Sequence, residues 1–273
     1  MPTTYAHYRF GKDVITTLPK RVGAAIENNR ELFDIGLHGP DILFYYNPLS
    51  KNPVNQQGYE MHDRTGDEFF RRAAEIIKAD EDSAAARAYI YGFICHFALD
   101  SECHKYIEKM IQVSKLSHAE IEMEFDRYLL TEDHINPLTY LGTRHIHPTI
   151  GNAEVIAPFF QDVSAEIIKK SLVSMIICHR LLLAPGQAKR KVLAAAMKVS
   201  RTYDSMYGMV MSEQANPQCQ KYCLLLKKLY AGAVPLAVDL IIKFQKVLFQ
   251  DGELPVRFHE TFGAGENWEA LPL

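Results

Sequence analysis

One stretch of the sequence places histidines and carboxylates at the spacing of an α-helix. His96, Asp100 and His104 follow one another at steps of four within apolar, helix-forming sequence. Residues four apart lie on the same face of an α-helix, one turn above the other. A second pair, His118 and Glu122, repeats the same step. The chain is therefore expected to fold with two neighbouring helices that together offer five side chains of metal-binding type, which packing alone does not explain.

Helical periodicity dominates the rest of the sequence, and strand signals are scarce. Loops rich in turn formers are expected at 39–53 and 132–160, and a loose tail is expected from residue 252. Ser117 is the expected N-cap of the helix that carries His118, with Glu120 completing a capping box. The predicted helices cover residues 12–28 with a break at Pro19, 30–35, 65–79, 84–112, 118 onwards, 164–183, 187–207 and 217–249, with Gly232 or Pro235 as the expected point of a split in the last.

These helices predict an all-α fold in a single domain over residues 1–273. A chain of this length can bury a substantial core. The C-terminal helices carry apolar stripes that need the rest of the chain to cover them. Residues 1–130 are the expected metal-binding catalytic half, and residues 160–250 are expected to add helices that pack on it.

Charge and apolar patterning argue against several classes of partner. The formal net charge of −3 gives no electrostatic reason to expect nucleic acid or an anionic membrane surface. No window reaches the roughly 18 apolar residues of a membrane span, so no stable membrane anchor is expected. The N-terminal residues show no signal-sequence pattern, and the five cysteines lack framework spacing, which predicts free thiols and a cytoplasmic location. The sequence does not indicate an oligomeric state.

The ligand candidates stand in apolar surroundings. His96 and Asp100 are embedded in apolar sequence, and burying a carboxylate without a partner is costly. Metal coordination and a buried His–Asp ion pair both solve that problem, and this helix alone leaves both open. Upstream, His7, Asp41 and His62 add ligand types that suit zinc or another divalent first-row metal. The lack of cysteine at zinc-finger spacing argues against a purely structural site.

The order of these residues along the chain resembles the zinc-dependent phospholipase C family, whose fold the S1/P1-type nucleases share. The resemblance covers roughly residues 1–130. It implies an all-α, phospholipase C/P1 nuclease-like domain that holds zinc, followed here by additional C-terminal helices. The positions that carry it are His7, Asp41 in a Gly-Pro-Asp turn, His62, His96, Asp100, His104, His118 and Glu122.

The resemblance also implies how two or three zinc ions would be shared, with iron or manganese as alternatives. Asp100 would bridge the first ion to a third, to which His7 also contributes. The second ion would keep positions open for water and substrate. The implied ligands are Asp41, His62, His96 and Asp100 for the first ion, and His104, His118 and Glu122 for the second.

One departure from the family affects the third ion. Secreted members complete that site with the amino group and carbonyl of a tryptophan exposed by signal cleavage. This chain has Met1 six residues before His7, and its single tryptophan is Trp268. The resemblance therefore leaves a third site without its usual completion.

The implied activity is metal-dependent hydrolysis of a phosphoester. A metal-activated water would attack phosphorus, and Asp41 would take a proton from that water besides ligating. Arg9 and Arg64 are the arginines that stand nearest to predicted ligands in sequence, and we consider them as phosphate contacts. The expected substrate is a phosphoester small molecule, phosphodiester or monoester, or a phospholipid headgroup, and no nucleic acid is expected.

Three other interpretations fit part of the pattern. His62 and Asp63 form an HD pair, but an HD-type metal phosphohydrolase would leave His104, His118 and Glu122 without a role. A ferritin-like di-iron bundle uses Glu-x-x-His at a step of three, whereas the steps here are four. A non-enzymatic metal-binding helical scaffold or binding module uses the same ligands and stays open.

The remaining polar residues are interpreted as surface groups. Asp63, Glu124 and Asp126 are candidates to orient a ligating imidazole, but they are expected to be exposed charges. Five of the histidines outside the pattern are expected at the surface. These are His134, His145, His147, His179 and His259.

Overall fold

Helices make up all the regular secondary structure in the computed structural model, which describes residues 4–80, 83–250 and 252–273. The all-α prediction is confirmed, whereas the expectation about Met1 lies outside the described residues. The α-helices are α1 (Thr4–Thr17), α2 (Lys20–Glu27), α3 (Arg30–Gly36), α4 (Pro53–Asp63), α5 (Gly66–Ala79), α6 (Ala84–Ser114), α7 (His118–Glu132), α8 (Ile150–Ile156), α9 (Ala165–Leu182), α10 (Gln187–Val199), α11 (Tyr203–Met206) and α12 (Gln220–Phe249). Short 3₁₀ helices cover Gly39–Tyr45, Ala157–Phe159, Tyr207–Met209, Pro217–Cys219, Val256–His259 and Trp268–Ala270.

Helix α6 lies at the centre of the fold. It is apolar around most of its circumference, and a helix of that kind must be covered by other elements. Helices α3 and α12 pack along it, and α1, α5 and α7 also contact it. The stripe of His96, Asp100 and His104 on α6 is therefore buried inside the protein.

Two glycines bring α3 and α6 into backbone contact. A Cβ atom at Gly36 would lie 2.1 Å from the carbonyl oxygen of Tyr89, and one at Gly92 would lie 2.1 Å from the carbonyl oxygen of Phe33. Only residues without a side chain allow that approach. The crossing fixes the end of α3, and the 3₁₀ helix that carries Asp41 starts three residues after Gly36.

The N-terminal helix is longer than predicted. It begins at Thr4 rather than at residue 12, so His7 lies on a helix. Tyr5, Phe10 and Val14 are buried on the inner face of α1, and that burial compensates for the weak helix propensity of aromatic and β-branched residues. The predicted break at Pro19 is confirmed between α1 and α2.

The expected loop over 39–53 is confirmed only for residues 46–52. Gly39–Tyr45 is a 3₁₀ helix whose residues are mostly buried, and Pro53 opens α4, which was not predicted. Asn52 caps α4 because its side-chain oxygen accepts hydrogen bonds from the backbone N–H groups of the first turn. Proline at the first helical position and asparagine at the cap read as loop residues in sequence, but together they start a helix.

The predicted capping of α7 is confirmed in one of its two halves. Ser117 Oγ accepts a hydrogen bond from the backbone N–H of Glu120 at 3.2 Å. The Glu120 carboxylate instead accepts a hydrogen bond from Asn216 Nδ2 at 2.8 Å. The cap therefore fixes the start of α7, and Glu120 ties it to the chain before α12.

Two C-terminal helices differ from prediction in opposite ways. The helix expected over 187–207 ends at Val199, and Arg201 there has a φ of +58°. Helix α12 is not split at Gly232 or Pro235. Both residues lie on its exposed side, so the carbonyl that Pro235 leaves unpaired can reach water, while the buried face continues unbroken.

The tail after residue 252 is not loose. Phe258 and Phe262 are fully buried, and their rings pack against Phe70 and Phe97. Arg257 donates hydrogen bonds to Ser101 and Glu102 on α6. The tail is therefore held on the same helix that carries the predicted ligands.

One large apolar core includes helices from both ends of the chain, and a small second cluster of Ala184, Leu193, Met197 and Val210 lies beside α10. The single-domain assignment, with its halves 1–130 and 160–250, stays a prediction. The five cysteines are free. Among the helices of the described residues, none has both the length and the apolar run needed to cross a membrane.

Candidate metal centre

The structure brings all eight predicted ligand residues to one place. They come from five elements whose positions follow from the packing around α6. Helix α6 supplies three of them on one face, as the step of four predicted. The contributions are His7 from α1, Asp41 from the 3₁₀ helix, His62 from α4, His96, Asp100 and His104 from α6, and His118 and Glu122 from α7.

Asp100 is the common neighbour within this cluster. Its Oδ1 lies 3.2 Å from His7 Nε2. Its Oδ2 lies 3.0 Å from His96 Nε2, 3.7 Å from His104 Nδ1 and 3.9 Å from His62 Nε2. A single buried carboxylate thus contacts four imidazoles, as a bridging ligand would.

Glu122 is likewise the shared neighbour of two histidines, His104 and His118. Its Oε1 lies 3.1 Å from His118 Nε2 and 3.4 Å from His104 Nε2. The Glu122 side chain is buried, but that of His118 is 36% exposed. This end of the cluster is therefore reached by solvent.

Three sets of side chains each have ligand atoms within 4.8 Å of one another, and two of these sets share His96. Within the described residues, each set has the size and composition that a divalent ion requires. His96 occurs in two of the sets, where the resemblance implied it in one. The assignment of individual residues to individual ions stays a prediction. The sets are His7, His96 and Asp100; Asp41, His62 and His96; and His104, His118 and Glu122.

Backbone carbonyls orient three of the imidazoles. His62 Nδ1 lies 2.9 Å from the carbonyl oxygen of Gly58, and His96 Nδ1 lies 3.2 Å from that of Leu37. His104 Nδ1 lies 2.7 Å from the carbonyl oxygen of Phe262. A carbonyl can only accept, so each Nδ1 carries the proton and each Nε2 is left free as a donor of electrons to a metal. Sequence reasoning missed these partners because any residue type supplies a carbonyl.

A carboxylate that the sequence analysis did not single out orients the half-exposed histidine. Glu108 Oε1 lies 3.5 Å from His118 Nδ1, while Glu122 contacts the other nitrogen. Carboxylate partners of ligating histidines are common. Glu108 lies four residues after His104 on α6, so the step of four that revealed the stripe also contains this residue.

The electrostatics of the cluster keep its carboxylates ionised. Burial acts to raise the pKa of Asp100 and Glu122, but the neighbouring imidazoles outweigh it and hold both well below their ordinary values. Burial acts to lower the pKa of His118, but Glu122 and Glu108 raise it to about 9. The centre therefore presents negative oxygens to any cation that enters.

Two buried atoms in the cluster test whether a metal fits. Asp41 Oδ1 and His96 Nε2 make no hydrogen bond within the described residues. Yet Asp41 Oδ1 lies 3.1 Å from His62 Nε2, and His96 Nε2 lies 3.0 Å from Asp100 Oδ2. Close approach without hydrogen-bond alignment is what ligands aimed at a shared cation show, so the residues present fit a metal centre.

Two of the three presumed surface carboxylates are buried. Asp126 accepts hydrogen bonds from the backbone N–H groups of Tyr5 and Ala6, and so caps the helix that carries His7. Glu124 accepts from the backbone N–H of Asn216. Both were expected to be exposed, and that expectation is wrong because the first turn of α1 and the chain before α12 need partners. Asp63 is exposed, which gives the HD pair no support.

Two of the presumed surface histidines are also covered. His145 is buried, and its Nε2 lies 2.7 Å from Nε2 of His38. His179 is half-buried, and its Nε2 lies 3.1 Å from the Tyr45 hydroxyl. Neither belongs to the sets of ligand atoms. His134, His147 and His259 are exposed as expected.

Neither arginine considered for the phosphate faces the cluster. Arg9 pairs with Glu132 and Asp133 at the far side of α1. Arg64 is exposed and pairs with Glu60. The expectation that one of them contacts a phosphate has no support in this geometry.

Comparison with known proteins gives a match to a protein family. A family model described as zinc dependent phospholipase C matches residues 6–171, more than half of the chain. The match reaches beyond the resemblance over 1–130 and includes α8 and the start of α9. Curated proteins and solved structures give no match.

Proposed function

The chain belongs to the zinc-dependent phospholipase C family, and from this membership and the geometry of the cluster we propose that it is a metal-dependent phosphoester hydrolase. Zinc is the proposed metal, with iron or manganese as alternatives. The proposed substrate is a phosphoester small molecule or a phospholipid headgroup. A cytoplasmic location and the absence of a nucleic acid partner stay predictions.

The observation that carries the proposal is the contrast within one cluster. His104, His118 and Glu122 form a set that solvent reaches at His118. The set around Asp41, His62 and His96 is more deeply covered and adjoins it through Asp100. Catalytic metal sites keep a position open, whereas structural sites are closed.

Divalent ions in such a centre supply positive charge for phosphoryl oxygens and acidify water. The chain's own residues would hold those ions through the Nε2 atoms that the backbone carbonyls leave free. Asp41, whose Oδ1 makes no hydrogen bond within the described residues, is ionised and can accept a proton at that oxygen. Removing water from around the substrate would fall to the apolar rings beside His62, among them Phe44 at 5.3 Å between ring centres.

The experiment is metal reconstitution followed by an assay of phosphoester hydrolysis. The full chain, stripped with a chelator, is loaded with zinc, iron or manganese and given aryl phosphomonoesters, phosphodiesters and phosphocholine esters. We expect hydrolysis to appear with metal and to be lost in His96→Ala. His134→Ala, which changes an exposed histidine outside the cluster, is the matched control.

Two results would overturn the proposal in different ways. Metal bound at two or more equivalents with no turnover of any ester would favour the metal-binding scaffold instead. Failure to bind metal in both the parent and the control would remove the metal centre itself, and the cluster would then be a network of buried ion pairs.

A further inference from the structure

One peptide group near the C-terminus contacts two of the predicted ligand residues at once. The carbonyl oxygen of Phe262 accepts a hydrogen bond from Nδ1 of His104, with 2.7 Å between the two atoms. The backbone N–H of Gly263 donates to the backbone carbonyl oxygen of His62, with 2.8 Å between nitrogen and oxygen. That carbonyl and that N–H belong to the same peptide bond, so the two contacts cannot move independently of each other.

The peptide group joins two different sets of ligands. It is trans, like every peptide bond of the described residues, so its C=O and N–H point in opposite directions from one rigid plane. One end meets α6 at His104, and the other meets the last turn of α4 at His62. The rings of these two histidines lie 6.2 Å apart between centres, and they belong to separate sets. The peptide group therefore acts as a spacer between the sets.

The contact with His62 satisfies a carbonyl at the end of α4. That helix ends at Asp63, and the last carbonyls of an α-helix have no N–H partner within the helix. The N–H of Gly263 supplies one. A Cβ at residue 263 would lie only 3.0 Å from the same oxygen, so the close approach of the peptide group favours glycine there.

The neighbouring residues of the tail hold the peptide group in place. The Phe262 ring is buried and packs edge to face on that of Phe97 on α6, with 5.0 Å between centres. The carbonyl oxygen of Glu260 accepts a hydrogen bond from the N–H of Gly66 at the start of α5, over 3.0 Å. The peptide group is thus fixed against three helices, α4, α5 and α6.

Packing of the tail does not by itself require these hydrogen bonds. A buried phenylalanine anchors a segment whichever way the backbone carbonyl points. Here the Phe262 carbonyl points at Nδ1 of His104, which must carry the proton because a carbonyl only accepts. The other ring nitrogen, Nε2, then faces Glu122 Oε1 at 3.4 Å without a proton of its own. The peptide group thus decides which nitrogen of His104 is available to a metal.

We propose that the Phe262–Gly263 peptide group is a positioning element of the metal centre, which orients His104 and fixes its separation from His62. The two residues that form it lie beyond residue 171, outside the family match. Membership in the family therefore does not imply this role. The inference rests on the metal centre of the proposed function but not on ester hydrolysis, because it concerns only how the ligands are held.

The test compares zinc binding by three variants of the full chain. Gly263→Pro removes the N–H that binds His62. Ala264→Pro places the same ring one residue later, at an N–H that makes no hydrogen bond within the described residues. Phe258→Leu loosens the packing of the tail, because this ring is fully buried, but leaves the peptide group intact. Competition with a fluorescent chelator measures the zinc affinity of each variant.

We expect Gly263→Pro to weaken zinc binding at both sets by about 10–100-fold, the usual effect of losing partners that orient ligands. The proline ring would occupy the place of the lost hydrogen and push the peptide group away from His62. Because the group is rigid, its carbonyl would also leave His104. Ala264→Pro and Phe258→Leu should bind zinc like the parent, and Phe258→Leu should melt at a lower temperature.

A second measurement follows the ring N–H of His104 itself. In the zinc-loaded chain labelled with ¹⁵N-histidine, this proton should exchange slowly with solvent because it is hydrogen-bonded to the Phe262 carbonyl. In Gly263→Pro the exchange should be roughly fivefold faster or more. In Phe258→Leu it should stay slow, which a purely structural role of the tail would not predict.

The outcomes separate positioning from packing. Equal loss of zinc affinity in Phe258→Leu, or zinc binding and exchange like the parent in a folded Gly263→Pro, would overturn the proposal. If circular dichroism shows that Gly263→Pro is unfolded, Gly263→Ala decides instead. Its Cβ presses on the His62 carbonyl while the N–H remains, so zinc affinity should fall in the same direction by a smaller factor, and no change would overturn the proposal.

The same measurements distinguish this inference from the proposed function. A parent chain that binds zinc, loses it in Gly263→Pro and hydrolyses no ester would support the positioning role and overturn the hydrolase. A parent that hydrolyses esters with the same zinc affinity in Gly263→Pro would support the hydrolase and overturn the positioning role.

Discussion

The two ends of the candidate metal centre differ in how much protein covers them. The buried set consists of His7, Asp41, His62, His96 and Asp100, and the half-exposed set consists of His104, His118 and Glu122. In the buried set, each side chain is at least four-fifths covered, whereas His118 is 36% exposed. Around one long helix, the chain thus places one set of candidate ligands that is covered and one that solvent reaches at His118.

The difference separates two tasks that a single site could not perform together. The buried set would hold an ion firmly because the carbonyls of Leu37 and Gly58 fix the imidazoles of His96 and His62. An open site can exchange a water for a substrate. Asp100 contacts imidazoles of both sets and so couples the two.

The largest effect is expected from Asp100→Ala. Removing the carboxylate takes away the shared neighbour of four imidazoles, so both sets should lose metal affinity by more than the roughly 100-fold that outer partners control. Elemental analysis of the purified variant, beside Asp63→Ala as an exposed control, measures this. If either set kept its full equivalent of metal, the two sites would be independent.

Gly39→Ala is expected to damage the buried set alone. Gly39 has a φ of +48°, and a Cβ there would lie 2.3 Å from Cδ2 of His96. The left-handed backbone adds roughly 1–2 kcal/mol of strain for any other residue. The variant should melt at a lower temperature and lose metal from the buried set only.

Gly151→Ala is the matched control for that variant. A Cβ at Gly151 would meet nothing within 4 Å, and this glycine lies within helix α8. The Gly151→Ala variant should keep the metal content and the melting temperature of the parent. Loss of metal from the half-exposed set in Gly39→Ala would show that the two sites fold as one.

Glu108→Gln is expected to act on the half-exposed set alone. Glu108 contacts His118 Nδ1, and losing such a partner typically costs about 10–100-fold in metal affinity. Competition with a fluorescent zinc chelator measures the weaker site, and Glu60→Gln changes an exposed carboxylate elsewhere on the surface. An unchanged affinity would mean that Glu122 alone orients His118.

Over one pH unit, an effect at the lower end of that range is expected from pH. The pKa of His118 in the metal-free chain is about 9, above its ordinary value, and metal requires the deprotonated imidazole. Zinc affinity of the half-exposed set should therefore rise roughly tenfold per pH unit between about 7 and 9.

Stability of the metal-free chain should change in the opposite direction. The pKa of His118 in the folded chain is raised above the unfolded value of 6.5. Its contribution to the free energy of unfolding is therefore complete below pH 6.5 and is lost as the pH rises through about 9. Urea unfolding of the metal-free chain at several pH values measures this. A His118→Gln variant with the same pH profile would contradict the assignment.

The sequence predicted the ligand stripe on α6 because side-chain type and spacing carry that information together. His96, Asp100 and His104 had to share a face once the segment was helical. Asp41 and His62 were recognised as ligand types, but only the family resemblance joined them to the stripe, since nothing in their local sequence shows that two short elements meet α6. The crossing of α3 and α6 at Gly36 and Gly92, just before the 3₁₀ helix that carries Asp41, depends on two residues without side chains. Such a contact leaves no periodic pattern in the sequence.

The remaining parts of the site depend on long-range contacts. The carbonyl of Phe262 comes from a segment that lies 158 residues after His104 in sequence. Glycines and prolines predicted an irregular tail, and its backbone has no long helix. Two phenylalanines nevertheless anchor the tail in the core. Irregular sequence predicts the absence of long helices and not the absence of packing.

The contact between Phe262 and His104 also sets an order in time during synthesis. A ribosome that has extruded the chain as far as α12 has made all eight candidate ligands, and domains begin to fold from the N-terminal side as they emerge. The carbonyl that fixes the proton of His104, and the N–H of Gly263 that donates to the carbonyl of His62, are made only afterwards. The nascent chain can therefore assemble helices around α6 early, but the candidate metal centre gains these two contacts only after residues 262 and 263 have been made.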